Sequence, residues 1–247
     1  MTPRSALTTM VALLLLHVNA ALAYRPFDGT DADVAHAGEA EIEFGPVQWL
    51  REGARRFLQA PAAIANLGLR GDRELVIEGR HEVAIDRAAG EPREAVVDDA
   101  VSLKHVVRRG VLQDAPGPSV ATEYSLLLPE VNGEGSAGLS AAGIVSQRSE
   151  LGTVHLNGQL AWTREHEADV FVGVILEGPY AWAVRPVAEL FAERAGGESR
   201  ITSQLVGAIW RAGEDLSFDV GVRSAHAGSG SIREVRLGLT WSFSLRE

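Results

Sequence analysis

Three groups of side chains in this sequence have types and spacings that could do chemistry. Ser224 and His226 stand two apart, so on a strand they share one face, and a serine beside a histidine pairs a nucleophile with a base. No orienting partner can be identified for them, and an ordinary rim pair is the expectation. Glu165-His166-Glu167-Ala168-Asp169 offers oxygen ligands to a divalent cation, but the spacing fits no metal loop and reads as a solvated turn. Gly-x-Ser-x-Gly, His-Glu-x-x-His and a phosphate-cradling glycine loop with lysine are all missing. The expectation is a non-enzyme without cofactor or metal. The third group is the largest: single charges recurring on one face of strand-like runs. Glu78, Arg80 and Glu82 fall in 73–85, Lys104 in 97–108, Arg148 in 137–148, Arg185 and Glu189 in 181–193, and Asp219 and Arg223 in 214–224. Glu41, Glu43, Glu74, Glu123 and Arg236 belong to the same pattern. Pointed into one enclosed space, these charges would line a lumen or constriction and act on a passing solute by electrostatics alone. Residues four apart on a strand are about 13 Å apart, so their partners are expected on neighbouring strands.

The elements that must position them follow a period of two. The clearest runs are 73–85, 152–163, 168–177, 181–193, 214–224 and 232–243, and softer ones are 38–50, 60–69, 97–108, 118–128, 137–148 and 200–211. That makes twelve strands, with 51–59 (REGARRFLQ) read as helical or irregular. Tight connections (Arg70-Gly71-Asp72, Ser149-Glu150-Leu151, Glu177-Gly178-Pro179-Tyr180, Ala212-Gly213) alternate in part with longer polar ones (DRAAGEPREA, PEVNGEGSA, HAGSGS). GTVHLNGQLAW, residues 152–162, poses the question of which face is wet, because a soluble sandwich and a membrane barrel share its alternation. Two features favour lipid outside and charge inside. The runs are long, near the ~9–11 residues of a tilted membrane strand, and Trp162, Trp182, Trp210, Trp241 and Phe243 lie at or near strand ends, where interfacial girdles sit. The reading is an all-β fold, an antiparallel transmembrane β-barrel of about twelve strands.

The ends and composition agree. Residues 1–23 read as a signal peptide: a basic start, the apolar run Met10–Leu16, and Ala21-Leu22-Ala23 as a small-x-small cleavage site. Residues 24–247 would then form a single barrel domain in the outer membrane of a Gram-negative bacterium. Cysteine is absent, so no disulfide contributes to stability. A net charge of −10 argues against nucleic acid as a partner.

Several stretches carry a resemblance to a family. RPFDGTDADVAHAGEAEIEFG (25–45), NLGLRGDRELVIEG (66–79), DDAVSLKHVV (98–107) and PSVATEYSLLLPEVNG (118–133) follow the order and spacing of an outer-membrane family labelled for a meta-pathway of phenol degradation. The resemblance covers nearly the whole mature chain and implies an outer-membrane barrel of transporter type. Expected partners are outer-membrane lipid, a small-molecule solute of hydrophobic or aromatic kind, and the barrel-assembly machinery, which would read Trp241 and Phe243 on the last strand. The chain departs from the usual aromatic ending, because Ser244-Leu245-Arg246-Glu247 follows Phe243. A structural barrel with a closed lumen and a soluble periplasmic β-barrel that binds ligand are the rival readings. Whether residues 24–38 enter the lumen is left open by the sequence.

Overall fold

The computed structural model describes residues 25–86, 92–132, 135–195, 200–228 and 230–245. The expected signal peptide, 1–23, lies outside them. Twelve strands follow in order: β1 (Glu39–Glu52), β2 (Arg55–Leu69), β3 (Arg73–Ala84), β4 (Glu94–Arg108), β5 (Ser119–Leu127), β6 (Gly138–Ser149), β7 (Gly152–Trp162), β8 (Ala168–Glu177), β9 (Val184–Ala195), β10 (Ile201–Arg211), β11 (Leu216–Ala227) and β12 (Gly230–Ser244). Each pairs antiparallel with its sequence neighbours, and β1 pairs with β12, so the sheet is a closed barrel. Closure pairs every strand on both sides and leaves no bare edge.

Alternation turns the pattern inside out relative to a soluble domain. On β7, Val154, Leu156, Leu160 and Trp162 are exposed, while Thr153, His155 and Asn157 are buried. Leu190, Val220, Val222, Val235, Leu237 and Trp241 are likewise exposed, whereas Glu41, Lys104, Arg185, Glu189 and Arg236 are nearly inaccessible. Apolar faces outward and charges inward are the arrangement a lipid solvent requires. Trp210 stacks on Phe218 and Trp241 packs at a tilt against Phe243 near one end of the barrel, and Trp162 lies near the other.

That first end carries the turns 70–72, 150–151, 178–183 and 212–215, together with the start of β1 and the end of β12. It is the turn end; the opposite one, with the longer connections 85–93 and 128–137, is the loop end. The β4–β5 connection is the exception at the turn end. It forms a short 3-10 helix, Val111–Gln113, folded into the barrel so that Leu112 is buried with Ala32, Ala121 and Ile144.

Two expectations are corrected. Residues 51–59 are neither helical nor irregular: they complete β1 and open β2 around a turn at Gly53, whose φ of 57° suits glycine. The charges of Arg51, Glu52, Arg55 and Arg56 mask the alternation there, because at the rim both faces meet polar surroundings. HAGSGS is not a long loop, since β11 runs to Ala227 and β12 begins at Gly230, making a tight hairpin. Trp182 also falls in the turn before β9, with its N–H donated to Pro179.

Candidate functional site

Residues 25–38 do not cover the barrel; they run inside it. A strandless segment there has backbone N–H groups that water cannot reach freely, and each must find an acceptor. The inward side chains supply them. Glu189 on β9 accepts from the N–H groups of Asp28 (2.9 Å) and Gly29 (2.7 Å). Asn157 on β7 accepts from Thr30 N–H at 3.0 Å and donates back to its carbonyl at 2.9 Å. Ser146 on β6 accepts from Ala32 N–H (2.9 Å), and Glu74 on β3 from Ala35 N–H (2.6 Å). Hydrogen bonds to charged groups contribute about 1.5–3 kcal/mol each, so the segment is held as a plug.

Side chains of the plug are clamped as firmly. Arg236 on β12 donates to the Pro26 carbonyl (2.7 Å) and pairs with Asp28 (2.9 Å) and with Glu234 (2.8 Å). Arg223 lies 3.4 Å from Asp28 and 3.2 Å from Glu234. Burial works against the Asp28 carboxylate, but Arg236 and Arg223 outweigh it and hold it down at about 2. Lys104 on β4 pairs with Asp31 at 3.1 Å and donates to the Thr30 hydroxyl. Arg25 lies 3.6 Å from Asp219 and donates to the Leu237 carbonyl. Gln113, from the inturned helix, donates to the Ala32 carbonyl (2.8 Å) and to Asp33 (2.9 Å). Burial, with Asp31 nearby, pushes the Asp33 carboxyl up to about 6. Two wall glycines make room: a Cβ at Gly68 would strike the plug backbone at Ala35 and His36, and one at Gly238 would meet Arg25 and Asp219.

The charges singled out in the sequence all sit on the inward face, with different duties. Lys104, Glu189, Asp219 and Arg223 hold the plug. Glu78 and Arg80 border a cavity of about 220 Å³ beside it, shared with Glu41, Glu43, Glu123 and Phe171. A bulge between β3 and β4, with Asp98 at a φ of 58°, brings Arg80 within 3.4 Å of Asp98. Glu82 accepts from Gln59 at 3.0 Å. Arg185 pairs with Glu177 on β8 (3.0 Å), and Arg148 lies 4.1 Å over the ring of Tyr180, which Arg185 and Arg211 also approach. The expectation that partners come from neighbouring strands holds for Arg185 and Glu177 but is incomplete: much of the wall pairs with residues 25–38. Periodicity could not disclose this, because the plug has none.

Ser146, His155 and Glu177 form a buried chain: the serine hydroxyl lies 2.7 Å from Nδ1 and Glu177 3.1 Å from Nε2. It has the order of nucleophile, base and orienting acid. Ala32 N–H already occupies the serine oxygen and Ser146 is wholly inaccessible, so no space remains beside it for a reacting carbon; the chain serves to anchor the plug. Ser224 and His226 lie apart from it, on the outer wall of β11. Among the described residues no three histidine or carboxylate side chains are arranged around a metal position. His166 instead stacks on Trp162, and its φ of 63° belongs to the turn.

No family model and no curated protein matches the chain in sequence. Among solved structures it is similar to the COG4313 outer membrane channel from Pseudomonas putida F1, with a TM-score of 0.63, 12% identity, and coverage of 88% of this chain and 100% of that one. It is similar to KdgM porin with a TM-score of 0.51, 12% identity and coverage of 82% and 99%. The translocator domain of the autotransporter NalP from Neisseria meningitidis gives 0.50, 12%, and 86% and 91%. At these identities the likeness is one of architecture: the chain has the fold of porin-like outer-membrane β-barrels.

Proposed function

We propose that the chain is an outer-membrane channel for small solutes whose lumen is occupied at rest by residues 25–38. The observation that carries this reading is the plug: a closed barrel with apolar outer faces whose charged interior is spent on holding one segment of its own chain. Eight strands leave an interior filled by side chains and sixteen an aqueous pore. Twelve strands around a peptide leave a cavity of about 220 Å³, the size of a small molecule rather than of a polymer. Around it carboxyl groups, among them Glu41, Glu43, Glu78 and Glu123, outnumber the bases Arg25, Arg80, Lys104 and Arg236, which disfavours anions and leaves neutral and cationic solutes. Small hydrophobic or aromatic compounds, the class implied by the resemblance to the phenol-degradation family, fit both size and charge. Flow is passive and driven by the solute gradient.

The density of polar contacts to the plug also favours a second reading, a structural barrel with a permanently closed lumen. Removing residues 25–38 separates the two. In planar bilayers the channel reading expects small, intermittent currents from the intact chain and large, steady ones from the deletion. An intact chain that never conducts or passes solute would leave the structural reading.

A further inference from the structure

The outer wall has a feature that solute passage does not use. Near the loop end, Gln204, Ser224, Arg233, Arg51 and Arg56 stand directly opposite one another on β10, β11, β12, β1 and β2. Neighbouring strands are about 4.8 Å apart, so three guanidinium groups sit side by side on adjacent strands and face away from the lumen. Two residues towards the turn end, the same strands present Val206, Val222, Val235, Trp49 and Leu58, again in register. The wall therefore changes from hydrocarbon-like to cationic within one step of the pleat. Arg56 is paired with the loop carboxylate Asp86 at 2.6 Å, and Arg51 donates to the Gly53 carbonyl. Among the described residues no carboxylate lies within ion-pair distance of Arg51 or Arg233. Beside the row a shallow groove of about 590 Å³ has Val172, Val174 and Leu190 on one side and Arg200, Gln204 and His226 on the other. It offers apolar wall to a chain and cationic or polar groups to a head.

From this juxtaposition we infer that Arg233, Arg51 and Arg56, with the adjoining groove, form a binding site for a phosphate-bearing lipid headgroup of the membrane's outer leaflet. The inference rests on the membrane reading given above. An arginine row on a chain of net charge −10 is a local reversal of sign, and arginine matches phosphate oxygens through two parallel N–H donors. Basic groups beside a hydrocarbon boundary are attracted to anionic lipid. The groove supplies what a free phosphate would not need, a place for an acyl chain below the charge.

The test uses the full chain in phosphatidylcholine nanodiscs containing a few per cent diphosphorylated lipid A. After affinity capture, lipid A retained per protein is measured by mass spectrometry and compared with the bulk ratio. The expected result is several-fold enrichment with the wild-type chain and none with the double variant Arg51→Gln/Arg233→Gln, while Arg73→Gln at the turn end retains the enrichment. Equal enrichment in the wild type and the double variant, or none in the wild type, would overturn the inference while leaving the barrel intact. Each sample is also run unheated and boiled on a gel. A chain that shows no heat-dependent shift in the discs would overturn the membrane reading and the lipid site with it.

Discussion

The two halves of the barrel's inner wall treat the same plug differently. From β7 to β12 the wall is a clamp: Asn157, Glu189, Arg223 and Arg236 bond the plug directly, and Arg185, Arg223 and Arg236 are each paired with a carboxylate. From β1 to β5 the wall is anionic and partly vacant. Lys104 and Glu74 reach the plug, but Glu41, Glu78 and Glu123 border the cavity instead. One half fixes the obstruction, and the other sets the electrostatics of the space beside it. Clamping and selecting are therefore separable in this fold.

Breaking the clamp should have the largest effect. Arg236→Ala takes from the buried Asp28 and Glu234 the closer of their two shared cations and leaves only Arg223, and removing one partner of such a group costs up to about 3–5 kcal/mol. The expected outcome is a steady rise in bilayer conductance towards that of the chain lacking residues 25–38, with a lower unfolding midpoint on unheated gels. A resting-level current would show that Arg236 does not hold the plug. A change on the other wall should be smaller and different in kind. Glu78→Gln removes one carboxyl group from the cavity wall, and because a unit charge in water acts by roughly 0.6 kcal/mol at about 7 Å, the expected change is at most about threefold. Reversal potentials in a salt gradient should show that loss of cation preference with unchanged opening frequency; altered gating would merge the two halves.

The smallest effect concerns pH. Asp33 has its carboxyl raised from 3.8 to about 6 when the plug is docked, so the docked state binds the proton more tightly than the released one. This contribution to docking is complete below about pH 4 and fades as pH rises through 6. Opening frequency should increase over that window, and Asp33→Asn should flatten it. Asp28 works in the opposite sense, since its carboxyl is held at about 2 and its grip is lost only as pH falls from 3.8 towards that value.

The barrel was legible because its constraint is local and repeated: VFVGV in β8 or LSFDVGV in β11 shows which residues share a face. The plug was not, because RPFDGTDADVAHA has no period and its acceptors lie far off in sequence, at Glu74, Ser146, Asn157 and Glu189. β10 shows how the two interfere. Leu205 and Ile209 share the face that carries Arg211, both are buried inward, and Leu205 lies with Pro26 around Gly221. On the opposite face, Thr202 and Gln204 are polar at the end of the strand near the arginine row. The run 200–211 is among the softer ones because each of its faces serves a surface that the sequence did not disclose.

The pairing of β1 with β12 also has a consequence in time. Asp28 and Arg236 are 208 positions apart, and Arg25 and Leu237 are 212 apart. Contacts of such separation form late, because the chain between them must be ordered first. Until the final strand arrives, the nascent sheet has two bare edges and Asp28 has Arg223 but not Arg236 to seat it. The obstruction is thus completed by the same event that seals the wall, and a chain cut short before Arg236 would lack both the seam and the closer cation of the clamp.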